Sequence, residues 1–163
     1  MRWRTDLALK KNKSLRASLP YKQAKNIGII FTVEDKQKHL DIKDLIHHFE
    51  SDGKLVKVLE FLPKKKENYE FLFDFFSIDD LSFWGSINSS TAEKFSDTAF
   101  DYLLCVDNQS NPLLLNLLAR CKARCRVGKF SENETAFFEL MIESKGTTRG
   151  LIDHMYKYTK QLK

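Results

Sequence analysis

Two short polar stretches follow apolar runs of the chain and carry side chains that could bind a cation or move a proton. Residues 34–35 follow the run at 27–33, and residues 107–111 follow the run at 102–106. If both runs are neighbouring parallel strands, their polar ends meet at one edge of the sheet. Carboxylates there could hold Mg²⁺ or serve as a general base, although Asp and Asn at such turns also commonly cap the next helix. The candidate pocket residues are Thr32, Glu34, Asp35, Asp107, Asn108 and Ser110.

The loop after the first apolar run does not have the composition of a phosphate-binding loop. It reads Thr-Val-Glu-Asp-Lys-Gln from residue 32, where dinucleotide-binding proteins have G-x-G-x-x-G. Glycines let the backbone approach a pyrophosphate at a helix N-terminus, whereas acidic side chains repel it. The P-loop pattern G-x-x-x-x-G-K-[ST] does not occur in the chain either. We therefore predict no bound cofactor.

Cysteine and histidine spacing does not predict catalysis or a metal site. The cysteines lack C-x-x-C spacing, and the histidines lack the H-E-x-x-H pattern of zinc enzymes. His47 and His48 are adjacent, so their side chains diverge on a helix. We expect reduced, buried thiols, surface histidines, no metal and no catalytic residues, which favours a protein that is not an enzyme. The residues concerned are Cys105, Cys121, Cys125, His39, His47, His48 and His154.

Positive charge is concentrated at the two ends of the chain. Residues 1–26 hold eight basic and one acidic residue, residues 27–119 hold nine and 16, and residues 120–163 hold ten and five, which together give the net charge of +5. Clustered cations suit phosphate backbones or anionic membrane surfaces, and Trp3 could stack on a base or insert into an interface. The candidate binding residues are Arg2, Trp3, Arg4, Lys10, Lys11, Lys13, Arg16, Arg120, Lys122, Arg124, Arg126 and Lys129.

These basic segments also have a purely structural interpretation. Arg124 and Arg126 share one side of a short strand and could pair with the acids at 132–143, while Trp3 and Leu7 could pack on the domain. The functional interpretation predicts docking on an anionic partner. RNA or a ribonucleoprotein is slightly favoured over an anionic membrane surface. It also predicts that binding falls steeply with salt and is abolished when residues 1–19 are deleted.

The elements that position these residues alternate between strand and helix. A basic, imperfectly amphipathic helix is predicted from Met1 to about Ser18, before Pro20. Two segments, 69–76 and 81–85, fit more than one assignment. Strands are predicted at 27–33, 54–62, 102–106, 124–127 and 136–142, and helices at 37–51, 91–98, 113–122 and 150–162.

This alternation predicts an α/β fold: a single three-layer Rossmann-like domain with a mostly parallel sheet, preceded by a basic N-terminal helix. At 163 residues the chain has the length of one domain, which we place at 26–163 after a leader helix and connector at 1–25. Apolar runs are too short to span a membrane, and the basic N-terminus lacks the apolar core of a signal peptide. We therefore expect a cytoplasmic protein.

Two resemblances follow from these motifs. The stretch Asp-Tyr-Leu-Leu-Cys-Val-Asp at 101–107, with the helix after it and Ala-Arg-Cys-Lys-Ala-Arg-Cys-Arg-Val-Gly at 119–128, resembles the N-terminal, acceptor-side domain of heptosyltransferase-type glycosyltransferases. Those enzymes bind the nucleotide-sugar donor mainly with a second domain, whereas this sequence is expected to form one domain only. The whole layout resembles a family of small uncharacterised bacterial proteins.

Two alternatives to anionic docking therefore stay open. The first is a nucleotide- or sugar-binding module, or a glycosyltransferase-related enzyme, that uses the loops after the strands at 27–33 and 102–106. The second is a protein partner or a second copy of the chain, packed on the apolar face of the leader or on the Phe-rich segment 69–84.

Overall fold

A computed structural model describes residues 2–69 and 72–163, apart from the side chains of Arg2 and Trp3. Most helices and strands begin and end close to the predicted positions, and the N-terminal helix and the last strand are shorter than predicted. In chain order they are α1 (Arg2–Lys11), β1 (Asn26–Thr32), α2 (Lys36–Ser51), β2 (Leu55–Leu62), β3 (Asp74–Ser77), α3 (Ser90–Asp97), β4 (Phe100–Cys105), α4 (Pro112–Arg120), β5 (Ala123–Lys129), β6 (Leu140–Ile142) and α5 (Thr148–Thr159).

The six strands form one sheet in the order β3-β2-β1-β4-β5-β6, and every neighbouring pair is parallel. This confirms the Rossmann-like three-layer prediction. The central strands are continuous apolar runs because helices cover both of their faces. Strands β2 and β3 are added in sequence on one side of β1, and β4 then pairs with the other side of β1. The carboxyl ends of β1 and β4 are therefore the switch point at which such sheets bind ligands.

Two hydrophobic cores lie on opposite faces of the sheet. On one face, Ile29 and Phe31 pack with Ile42 and Leu45 of α2 and with residues of α5. On the other face, residues of β1, β2 and β4 pack with α3 and α4. In the described part of the chain, no helix combines the length and the apolar character needed to cross a membrane.

The described part of the leader, residues 2–25, packs on the rest of the chain and passes the amino ends of the strands. The Asn12 amide donates to the Ala119 carbonyl at 3.0 Å, at the end of α4. Further along, the Ala17 N–H donates to the Arg124 carbonyl at 2.9 Å, and the Tyr102 hydroxyl donates to the Leu19 carbonyl. The helix ends at Lys11, earlier than predicted, and a 3₁₀ turn over Lys13–Leu15 follows it.

The middle of the chain is less regular than its ends. Among the described residues of segment 69–76, those from Asp74 onward belong to the edge strand β3. Segment 81–85 is not a strand of the sheet: Leu81 and Ile87 form an isolated antiparallel bridge around a turn in which Gly85 has a φ of +72°. Strand β6 begins at Leu140 rather than at 136, because a 3₁₀ turn and the buried ring of Phe138 precede it.

Candidate functional site

At the switch point, side-chain hydrogen bonds link the ends of β1 and β4. One carboxylate oxygen of Asp107 accepts from the Thr32 N–H at 2.8 Å, and the other accepts from the Thr32 hydroxyl at 2.6 Å. The Asn111 amide donates to the same hydroxyl at 2.9 Å and so ties the start of α4 to the end of β1. Asp107 is thus a structural acceptor, already bonded by groups of the neighbouring strand.

A buried lysine lies between the predicted acidic residues. Lys38 Nζ is 2.7 Å from Glu34 Oε1 and 2.8 Å from Asp107 Oδ1, and its side chain is 1% exposed. The ammonium therefore sits where a divalent cation would have to bind these carboxylates. Asp35 does not join them, because its carboxylate caps α2 by accepting from the Lys38 N–H at 2.8 Å.

Two clefts flank the loop at 107–111. A cleft of about 450 Å³ is lined by Thr32, Glu34 and residues 107–112, and so contains five of the six predicted pocket residues. A second cleft, of about 260 Å³, lies on the other side of the loop, between the ends of β4 and β5. Lys129 lines it and donates from Nζ to the Asn108 carbonyl at 2.9 Å. Within residues 2–69 and 72–163, no three His, Cys, Asp or Glu side chains are grouped so that they could hold a metal ion.

His39 is completely buried, which corrects the expectation of a surface histidine at this position, whereas His47, His48 and His154 are exposed as expected. Its Nδ1 lies 3.1 Å from the Asp35 carbonyl and its Nε2 lies 2.8 Å from Oε2 of Glu60, which is also fully buried. Burial raises the pKa of Glu60 to about 8 and lowers the pKa of His39. Since the carbonyl can only accept, Nδ1 carries the imidazole proton, and a protonated Glu60 donates to Nε2.

The cysteines behave as predicted. All three are free and buried. Burial raises the pKa values of Cys121 and Cys125 to about 12, so both are thiols at neutral pH and poor nucleophiles.

The two basic segments lie side by side, at the amino edge of the sheet and along α4. Lys122 forms a salt bridge of 2.9 Å with Asp97, and the pKa of Asp97 is lowered by Lys122 first and also by Arg120 and Lys11. The Asn12 amide of the leader donates to the Ala119 and Arg120 carbonyls at 3.0 and 3.2 Å, so the two basic segments meet at the end of α4. We call the five cations that lie exposed or half-exposed along α1 and residues 120–124 the basic surface: Arg4, Lys11, Arg120, Lys122 and Arg124.

A groove of about 580 Å³ lies beside the basic surface. Arg4, Arg120, Asn116 and Glu93 line it together with residues 85–90. The Arg4 guanidinium donates to the Ser86 hydroxyl, which fixes the leader against this segment. The groove was not predicted, because it depends on the packing of α1 on α4, which are separated by about one hundred residues.

Other predicted binding residues lie elsewhere. Arg126 is completely buried, which corrects its assignment to a binding surface, and Arg16 forms a salt bridge with Glu139. Lys129 lies at the carboxyl edge, far along the strand from Arg124. Lys10 and Lys13 are exposed on the leader. The predicted contributions of the Arg2 and Trp3 side chains lie outside the described residues.

Comparison with known proteins agrees with the broader of the two resemblances. A family model described as a family of unknown function, DUF6913, matches residues 1–162. No curated protein matches the chain. The family match lends no support to the heptosyltransferase resemblance, which rests on residues 101–128 alone. Because the family model covers nearly the whole sequence, this chain belongs to the family of unknown function DUF6913.

Proposed function

We propose that this protein is a non-enzymatic binding module of the bacterial cytoplasm that docks on RNA, alone or within a ribonucleoprotein, through the basic surface. The observation that carries the proposal is the contact between the leader and the end of α4. The Asn12 amide donates to the Ala119 and Arg120 carbonyls, and Arg4 and Arg120 line one groove, so cations from both basic segments lie together. Counterion release makes such a cluster attractive to a phosphate backbone.

The shape of the region favours RNA over a membrane. Arg4 and Arg120 line a groove of about 580 Å³, and a concave surface fits a polynucleotide strand better than it fits a flat bilayer. Amide and hydroxyl groups of Asn88, Ser89 and Ser90 line the same groove and can bond to sugars or base edges.

The test is the salt dependence of binding to a fluorescently labelled RNA, followed by anisotropy. For a single strand, each phosphate that a cation neutralises adds about 0.7 to the steepness of log K against log salt. The variant Lys11→Glu/Arg120→Glu/Lys122→Glu should therefore bind much more weakly, with a shallower slope. These charge reversals test the proposal better than deletion of residues 1–19, because deletion would also uncover Tyr102 and the end of α4.

A matched control reverses three exposed lysines on or near α5, which packs on the other face of the sheet from α4, in the variant Lys145→Glu/Lys157→Glu/Lys163→Glu. It changes the net charge by the same amount, so it should retain most of the RNA affinity. Equal reductions of affinity in both variants would show that only net charge matters and would contradict a specific surface. Binding to anionic vesicles but not to RNA would contradict the proposed partner.

The cleft at the switch point favours a second candidate function, the binding of a nucleotide or sugar. It lies at the carboxyl ends of β1 and β4, where sheets of this topology bind ligands. A thermal-shift screen with nucleotides, nucleotide-sugars and Mg²⁺ tests it, because a ligand at 100 times its Kd stabilises the fold by about 2.7 kcal/mol. Disappearance of the shift in Ser110→Ala would locate the ligand, and the absence of any shift would contradict this candidate.

A further inference from the structure

The turn between Leu81 and Ile87 presents two large aromatic side chains to solvent. Phe83 is 96% exposed and Trp84 is 78% exposed. Backbone hydrogen bonds of 2.8 Å from Ser82 N–H to the Ser86 carbonyl and from Gly85 N–H to the Ser82 carbonyl close the turn. The two rings contact each other at 5.5 Å between centroids and at right angles. We call residues 82–86 the aromatic turn.

Such exposure is costly in water and indicates a binding role. Adjacent aromatic rings at the tip of an ordered turn form a contiguous apolar surface, and surfaces of this kind mark interaction sites. The closed backbone of the turn also fixes the segment that carries the rings before a partner arrives, which reduces the backbone entropy lost on binding.

The aromatic turn adjoins the basic surface. The Arg4 guanidinium donates to the Ser86 hydroxyl, and Gly85, next to Trp84, lines the same groove as Arg4 and Arg120. A partner that follows the groove from Arg120 therefore reaches the aromatic rings directly. Cations that bind phosphates beside rings that stack on bases are the combination found in proteins that bind single-stranded nucleic acid.

We infer that the aromatic turn is the base-stacking platform of a single-stranded RNA site, with phosphates on the basic surface and a base against Trp84. The inference rests on the proposed function and narrows it to single strands. Bases of a duplex are already stacked on one another and paired, so their faces are not available to Trp84. Phe83 packs at a right angle against the indole ring, which is 78% exposed.

The experiment compares the full-length protein with Phe83→Ala/Trp84→Ala on three probes. These are a labelled oligouridine of about 12 nucleotides, an RNA duplex of the same length and phosphatidylserine vesicles. The unmodified protein should bind the single strand best, and the double variant should bind it about 10-fold or more weakly. The salt slope should not change, because the cations that bind phosphate are all retained. The conservative variant Trp84→Phe should bind the single strand more tightly than the double variant. Tyr158 is an exposed aromatic residue on α5, so Tyr158→Ala should have no effect.

The outcomes separate the inference from the proposed function. Salt-dependent RNA binding that is equal in the unmodified protein and the double variant, or equal for duplex and single strand, would overturn the stacking platform and leave the basic surface intact. The complete absence of RNA binding would overturn the proposed function itself. Vesicle binding, or self-association in sedimentation, that depends on Phe83 and Trp84 while RNA binding does not would assign the turn to a membrane or to a second copy. Thermal melting of each variant establishes that it is folded.

Discussion

The switch point and the basic surface differ in the burial and pairing of their charged side chains. At the switch point, Lys38 is 1% exposed and is neutralised by two carboxylates, one of which also accepts two hydrogen bonds from Thr32. On the basic surface, Lys122 has one exposed partner, and Lys11, Arg120 and Arg124 form no salt bridge within the described part of the chain. Removing one partner of a buried pair of the first kind is strongly destabilising, whereas exposed cations of the second kind contribute little to stability and are available to a partner.

The largest expected effect comes from removing the buried ammonium with Lys38→Met. The substitution keeps the length of the side chain but leaves the Asp107 carboxylate, 6% exposed, without its counter-charge. Breaking a buried pair in this way costs about 3–5 kcal/mol. Urea denaturation should show this decrease in the free energy of unfolding, while RNA affinity, measured where the variant is folded, should not change.

Lys36→Met is the control for this comparison, because Lys36 is exposed at the start of the same helix. Lys36→Met should change the free energy of unfolding by no more than about 0.5 kcal/mol. The double variant Lys38→Met/Asp107→Asn should recover part of the stability, because it removes the uncompensated carboxylate. A small effect of Lys38→Met alone would mean that the switch point is open to water, which would make it a better candidate ligand site than the structure indicates.

A second test concerns the buried pair of His39 and Glu60. Burial raises the pKa of Glu60 to about 8 from an ordinary value near 4.5, so the folded protein holds a proton that the unfolded chain releases. The contribution of Glu60 to stability is therefore present at low pH and disappears as pH rises towards 8. Burial also lowers the pKa of His39. Because His39 is retained in a variant that lacks only the Glu60 carboxyl, the difference in slope between that variant and the unmodified protein reports Glu60.

The measurement is the free energy of unfolding between pH 6.5 and 8 for the unmodified protein and for Glu60→Gln. A single proton gives a slope of at most about 1.4 kcal/mol per pH unit, so the unmodified protein should lose roughly 1–2 kcal/mol more than the variant across this range. Glutamine can still donate to His39 Nε2, so the variant should fold. Parallel curves would show that Glu60 is ionised in the folded protein and paired with a charged His39.

The fold was predictable from the sequence because its signals are local. The apolar runs at 27–33 and 102–106, and the polar residues that cap the helices after them, determine strand and helix within a few residues. The middle segment was not predictable, because Phe-rich stretches fit both a strand and a helix face. Whether Phe83 and Trp84 are buried or exposed depends on how the turn at 82–86 meets the leader, which no local pattern records.

The charged residues show the same limit more sharply. Glu34 and Asp107 were predicted to lie together and do so, but Lys38 was not expected between them, because its burial depends on a carboxylate 69 positions away. His39 was expected on the surface because its spacing matches no metal site, and its partner Glu60 lies 21 positions away on β2, which local spacing does not show. In each case sequence spacing predicts on which side of a helix or strand the residue lies. The charged partner comes from another element, and only the packed structure identifies it.

The smallest effect, and the most direct comparison, comes from two arginines two positions apart on β5. Arg126 is fully buried, and its Nε and Nη1 have no hydrogen-bond partner in the described residues, while Arg124 is exposed on the basic surface. Replacing a buried, incompletely bonded charge by an apolar side chain of similar length is often neutral or stabilising, so Arg126→Met should raise the free energy of unfolding by about 1 kcal/mol. Arg124→Met should change stability by less than about 0.5 kcal/mol but weaken RNA binding and make its salt slope shallower. Denaturation and salt titration of both variants test the pair. If Arg126→Met destabilises the protein while Arg124→Met leaves RNA binding unchanged, the division between structural and available charge fails on this strand, and the basic surface loses Arg124.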